Sequence, residues 1–143
     1  MSRIYWDTML FVYWFEDTPG YSEQVESIYN AMQTRGDTLC SSTFTIAELL
    51  VGPRKTGQTD LERNILKFFE SSQIKIIPFD LSAAQQFASI RSAGRVSPAD
   101  AIHLSCAAVD GVDLFLTNDM SLRKLVIPGI QFIDGMNTTV LNV

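Results

Sequence analysis

The chain has 143 residues, 46% of them hydrophobic, with 11 Lys and Arg against 16 Asp and Glu for a formal charge of -5. That is enough chain to bury one core and too little for two, so a single domain spanning 1–143 is expected. The acidic balance argues against a protein that coats nucleic acid by charge alone; no apolar run approaches the roughly eighteen residues of a membrane span, and no basic-then-apolar leader pattern opens the chain, so a cytoplasmic protein is expected.

Strand and helix signals alternate from the start. Arg3 to Asp7 reads as a first strand, and Thr8 to Glu16 is so uniformly apolar and aromatic that it fits either a continued strand or a buried helix. Asp17 to Gly20 makes a turn, and Val25, Ile28, Tyr29 and Met32 fall at helical spacing over Tyr21 to Arg35, with Gly36 as the stop. Thr38 to Ser42 suits a second strand, Thr45 to Val51 a helix ending before Gly52 and Pro53, and Asp60 to about Ser72 another helix whose buried face carries Leu61, Ile65, Leu66, Phe68 and Phe69. Ile74 to Phe79 is a β-branched third strand, followed by a helix from Leu81 to about Ala93 closed by Gly94. Ser97 and Pro98 open a helix that runs to Val109 before Gly111. Val112 to Thr117 is an apolar fourth strand, Met120 to Val126 a short helix and Ile130 to Ile133 a last strand. The alternation predicts a three-layer α/β/α domain with a central parallel sheet.

Four carboxylates, Asp7, Glu48, Asp100 and Asp119, sit where apolar runs give way to helical patterns. Each has a purely structural explanation. Thr45 to Glu48 and Ser97 to Asp100 match a capping box, and Asp7 and Asp119 suit helix N-termini. The explanation weakens when they are taken together, because a doubly wound sheet gathers the carboxyl ends of its strands along one edge. Asp100 also opens a segment of small and apolar residues, Ala99, Ala101, Ile102, Leu104, Ala107 and Ala108, that describes a tightly packed helix. An ionised group there needs a partner, and a divalent cation supplies one.

Other polar candidates carry less. His103, the only histidine, lies three residues after Asp100 on the same helical face; it fits either a ring bonded within the protein or a group reaching the site. Cys40 and Cys106 lack metal-ligand spacing and read as buried free thiols. The eight glycines are scattered as turn and stop residues and form no phosphate loop. Trp6, Trp14 and the phenylalanines read first as core.

An Asp ending the first strand, a Glu in the helix after the second, Ser-Pro-Ala-Asp-Ala-Ile-His at 97–103 and Thr-Asn-Asp at 117–119 together resemble a PIN-domain ribonuclease, most closely the toxin half of bacterial VapBC toxin–antitoxin pairs. The resemblance covers Ile4 to Ile133. It implies that Asp7, Glu48, Asp100 and Asp119 form the acidic set holding one or two magnesium ions, with manganese able to substitute, and that Thr117 is the hydroxyl two residues before the last acid. Asn118, between them, is a candidate for substrate contact or for shaping the turn. The family's reaction is endonucleolytic cleavage of RNA by water, leaving a 5′-phosphate and a 3′-hydroxyl. The family also implies a cognate antitoxin and a homodimer or toxin–antitoxin hetero-oligomer, for which Phe11 to Phe15 and the Tyr21 to Met32 helix are a candidate surface. One departure stands out: after Thr8 the family often has Asn or Ser, where this chain has Met9.

Two other readings compete. A catalytically silent domain of the same fold could bind RNA or protein, and a metal-dependent ribonuclease assay with a chelator control separates it from the enzyme. A magnesium-dependent phosphotransfer domain also groups acids at strand ends, but it wants a second acid beside the first strand, and Asp7-Thr8-Met9 has none.

Overall fold

The computed structural model describes residues 1–71 and 73–141. In chain order the elements are β1 (Arg3–Trp6), α1 (Thr8–Phe15), α2 (Ser22–Arg35), β2 (Thr38–Ser42), α3 (Thr43–Thr56), α4 (Thr59–Ser71), β3 (Lys75–Ile77), α5 (Leu81–Ala93), α6 (Pro98–Asp110), β4 (Leu114–Leu116) and β5 (Phe132–Asp134). The strands form a five-stranded sheet in the order β3-β2-β1-β4-β5, with every pairing parallel. The chain works outward from β1 through β2 to β3, then returns to place β4 on the other side of β1. The order therefore reverses between β1 and β4, which is where open α/β sheets form their ligand crevice.

Side-chain alternation along the strands builds the layers. Ile4, Trp6, Leu39, Leu114 and Leu116 point to one face, where they meet Leu10 and Phe11 of α1, Val25, Ile28 and Met32 of α2, and Ile65 and Phe69 of α4. Tyr5, Cys40 and Phe115 point to the other, against Ala83 and Ile90 of α5 and Ala101, Leu104 and Ala107 of α6. Small residues along α6 bring it close to the sheet: seven of its side chains, from Ala101 to Ala108 with only Ile102 left out, are buried.

Several boundaries differ from expectation. The ambiguous segment after Asp7 is helical, because Asp7 caps it through Thr8 N. Helix α3 starts at Thr43 with Ser42 as its cap and continues through Gly52 and Pro53 to Gly57, whose φ of 68° ends it. A proline inside a helix normally breaks it, but here Pro53 is buried and shares a small cavity with Leu61 and Ile65 of α4. Met120 to Val126 keeps only a 3-10 turn over Leu122–Lys124, and the last strand is Phe132–Asp134, shifted toward the C-terminus. The expected end of the fourth helix at Ser72 lies outside the described residues. Val25, Ile28 and Met32, offered above as partner surface, are core. Among the described residues no helix is long and apolar enough to cross a membrane.

Candidate functional site

Asp7, Glu48, Asp100 and Asp119 line one cleft of about 340 Å³ at the carboxyl edge of the sheet, together with Thr8, Met9, Tyr13, Ala99, His103 and Asn118. Each acid arrives on a different element. Asp7 follows β1 directly, and its backbone N–H still pairs with Leu116 O of β4 at 3.0 Å, so it stands at the point where strand order reverses. Asp119 follows β4, Asp100 is in the first turn of α6, and Glu48 is on α3.

The hydrogen bonds divide these acids into two groups. Asp7 Oδ2 accepts from the Thr117 hydroxyl at 2.8 Å, and the same oxygen of Thr117 accepts the backbone N–H of Asp119 at 3.0 Å. Thr117 is fully buried, so it fixes one carboxylate and the turn carrying the next. Asp119 Oδ1 is turned to Ser121, accepting from its N–H at 2.9 Å and its hydroxyl at 2.7 Å. Asp119 therefore shapes a turn; no helix begins there for it to cap. Asp100 belongs to the expected capping pair only in part. Ser97 Oγ accepts from Asp100 N at 3.2 Å, and the hydroxyl donates to Asp100 Oδ2 at 3.0 Å.

Glu48 overturns its capping explanation. Because α3 begins at Thr43, Glu48 sits in the second turn and Thr45 is not its cap partner. Its Oε1 instead accepts from His103 Nε2 at 2.7 Å and from the Thr8 hydroxyl at 2.5 Å. His103 is 2% exposed, and its Nδ1 lies 2.7 Å from the Tyr5 hydroxyl, which also reaches Ser42 Oγ at 2.9 Å. Thr45 Oγ1 lies 3.5 Å from the same Nδ1 and accepts from Ser41 at 2.7 Å. The floor of the cleft is thus a buried polar network hung from β1 and β2. Of the two readings of His103, the structure shows the ring bonded within the protein, and the same side chain also lines the candidate cleft. Tyr5, Thr8, Ser42 and Thr45 were not singled out as site residues. A tyrosine inside a parallel strand, whose phenol must find a buried partner, was the available signal for Tyr5.

Electrostatics follow the same division. Burial pushes the Glu48 carboxyl upward, but the His103 and Thr8 hydrogen bonds outweigh it and hold Glu48 below its ordinary value. Asp100 lies above its ordinary value: burial raises it, Ser97 opposes, and the charges of Asp7 and Asp119 raise it further. Asp7, Asp100 and Asp119 thus press on one another across the cleft. That is an all-oxygen donor set suited to a hard divalent ion that keeps several of its waters. Among the described residues no three acid, cysteine or histidine side chains are grouped tightly enough to grip an ion by themselves. Asn118 donates from Nδ2 to the Tyr13 hydroxyl at 2.9 Å, at the rim.

Among the described residues, two other features bear comparison with this cleft. A cavity of about 370 Å³ lies at the opposite end of the strands beside Tyr29, Gln33 and Thr38, and Asp37 there is already paired with Arg35 at 2.8 Å. Cys40 and Cys106 are buried and free, and burial pushes their thiols up to about 12 and about 11, which leaves them unreactive at neutral pH.

The PIN domain family model matches residues 4–127. No curated protein matches the sequence. Among solved structures, VapBC2 from Rickettsia felis bound to a promoter DNA fragment superposes with a TM-score of 0.72 at 19% identity, covering 93% of this chain and 98% of that one. VapC20 from Mycobacterium tuberculosis, a Sarcin-Ricin loop cleaving toxin, gives 0.69 at 11% identity, with coverage of 86% and 96%. A toxin–antitoxin complex from Klebsiella pneumoniae gives 0.63 at 20% identity, with coverage of 89% and 94%. At these identities the likeness is one of fold.

Proposed function

Since the chain belongs to the PIN domain family, matched from residue 4 to residue 127, we propose that it is a metal-dependent endoribonuclease of the VapC type, the toxin of a toxin–antitoxin pair. The observation that carries this reading is the meeting of Asp7, Glu48, Asp100 and Asp119 in one cleft from four separate elements. Capping explains single acids at helix starts; it does not explain four in one place, with Glu48 capping nothing.

Asp7, Asp100 and Asp119 would hold magnesium or manganese, with Glu48 completing the set through water. A cation bound there supplies an acidified water and neutralises a phosphate oxygen. The chain's own residues set the geometry. Thr117 and Thr8 N aim the two oxygens of Asp7, and His103 with Thr8 fixes Glu48 as an ionised acceptor. Glu48, kept ionised at neutral pH, can orient a water by accepting its proton in a hydrogen bond. Tyr5, whose phenol is raised by burial and stays protonated, keeps His103 in place from behind. The substrate would be RNA, and the partner an antitoxin able to place a basic side chain against the mutually repelling acids.

The test is cleavage of single-stranded RNA by the purified chain with magnesium or manganese, beside an EDTA control. Cleavage is expected only with the cation, and Asp7→Asn or Asp100→Asn should abolish it. Cleavage that persists in EDTA, or is undiminished in Asp100→Asn, overturns the mechanism. A folded protein that binds RNA and cleaves none with either cation favours the silent module.

A further inference from the structure

We propose that Tyr13 and Tyr21 form a stacking platform for an RNA base at the mouth of the acidic cleft, next to the phosphate on which the carboxylates act. This rests on the ribonuclease reading and adds a subsite to it. The two rings stack with centroids 4.4 Å apart and planes within 15°. Most of the other aromatic residues of α1 and its neighbours stack into the core: Trp6 and Phe11 are fully buried, and Trp14, Tyr29 and Phe68 pack around them. Tyr21 instead faces outward, 43% exposed, and Tyr13, half-buried against the same cluster, also lines the cleft.

Three features make the pair more than a surface accident. Tyr21 occupies the N-cap position of α2 and its side chain caps nothing; that position favours Ser, Thr, Asp or Asn, so the ring is not there for the helix. Tyr13 is held in orientation by Asn118, which neighbours Asp119, so the platform is tied to the same loop as an acid. Met9 is four residues before Tyr13, on the same face of α1, and is 42% exposed. Met9, Tyr13 and Tyr21 thus make an apolar and aromatic path that starts beside Asp7 and leads out of the cleft.

The charge balance favours a base as the occupant. A protein of net charge -5 whose cleft is lined with carboxylates gains little from the phosphate backbone away from the cation, so affinity for a single strand must come in large part from stacking, which every base can supply.

Binding is measured on the Asp100→Asn chain, which leaves the strand intact. The probes are a fluorescent single-stranded RNA of about 12 nucleotides and the same strand with abasic positions. The base-bearing strand should bind about tenfold tighter. Tyr21→Leu, which keeps apolar bulk, should lose most of that preference, and Tyr21→Trp should keep it, both with unchanged circular dichroism. A full preference in Tyr21→Leu overturns the platform even if the wild-type chain cleaves RNA, leaving the ribonuclease reading intact. If neither strand binds and the wild-type chain cleaves no RNA, both fall. If Tyr21→Leu instead loses binding of a basic amphipathic peptide while its base preference stays, the pair is a protein contact and the proposal is wrong.

Discussion

A buried side chain bonded both to the core and to a cleft carboxylate is a more vulnerable target than one bonded to either alone, and His103 is such a residue. Its Nε2 holds Glu48 at 2.7 Å and its Nδ1 meets Tyr5 at 2.7 Å, while its ring is buried in the second turn of α6. His103→Phe keeps the volume and removes both hydrogen bonds, leaving polar groups of Tyr5 and Glu48 short of a partner. The expected cost is about 1–3 kcal/mol of stability, read by urea denaturation. Removing a group that orients a ligand lowers activity by about 10–100-fold, so RNA cleavage should fall by that much. A variant as stable and as active as the parent would show that the network does not hold Glu48 in place. The sequence offered a choice between a structural and a functional histidine because spacing reports only which face a residue is on. Which atoms meet it from β1 and α3 depends on how those elements are placed against α6, which the spacing does not carry.

Among the elements, glycines with the same backbone sign differ sharply in what surrounds them. Gly57 ends α3 at φ 68° with nothing within 4 Å of an added Cβ, whereas Gly129, at φ 101°, would place that atom 2.5 Å from Ala108 O. Gly57→Ala should therefore cost only the left-handed backbone penalty, about 1–2 kcal/mol. Gly129→Ala adds a collision with the backbone of α6 and must lift away the loop leading to β5, so its thermal midpoint should fall well below that of Gly57→Ala; equal midpoints would mean the loop does not rest on α6. Glycine stops were legible at Gly36 and Gly111, both of which close helices, because the left-handed cap is a local device. The parallel sheet was legible from β-branched runs set between helical ones. The reach of α3 through Pro53 was not, since it depends on burial against α4. The capping box at Thr45 to Glu48 failed for a related reason: Ser41, Ser42, Thr43 and Thr45 are all hydroxyl residues, and only the paired register of β2 shows that Ser42 is the cap.

The whole molecule converts topology into charge density. Returning the chain from β3 to β4 beside β1 places Asp7 and Asp119 on adjacent strand ends, and starting α6 at that edge adds Asp100 from its first turn. The convergence of the acids was legible in the sequence because an alternating α/β chain has one carboxyl edge; the separate tethering of Glu48 was not. Asp100 bears the consequence, with a carboxyl raised above its ordinary value by burial and by Asp7 and Asp119. A carboxyl raised on folding contributes stability below its unfolded pKa and loses it as pH rises through the folded value. At neutral pH the ion-free fold therefore carries an unfavourable charge at Asp100, which the proposed cation would offset. Manganese at about 100 times its dissociation constant should add about 2.7 kcal/mol, a rise of several degrees in the thermal midpoint. Asp100→Asn relieves the repulsion without the ion while its backbone N–H keeps Ser97 as acceptor. In EDTA it should melt at or above the parent, and added manganese should raise it far less. A parent whose midpoint ignores manganese, together with an Asp100→Asn variant that melts lower in EDTA, would instead mean that the acid is there to start α6.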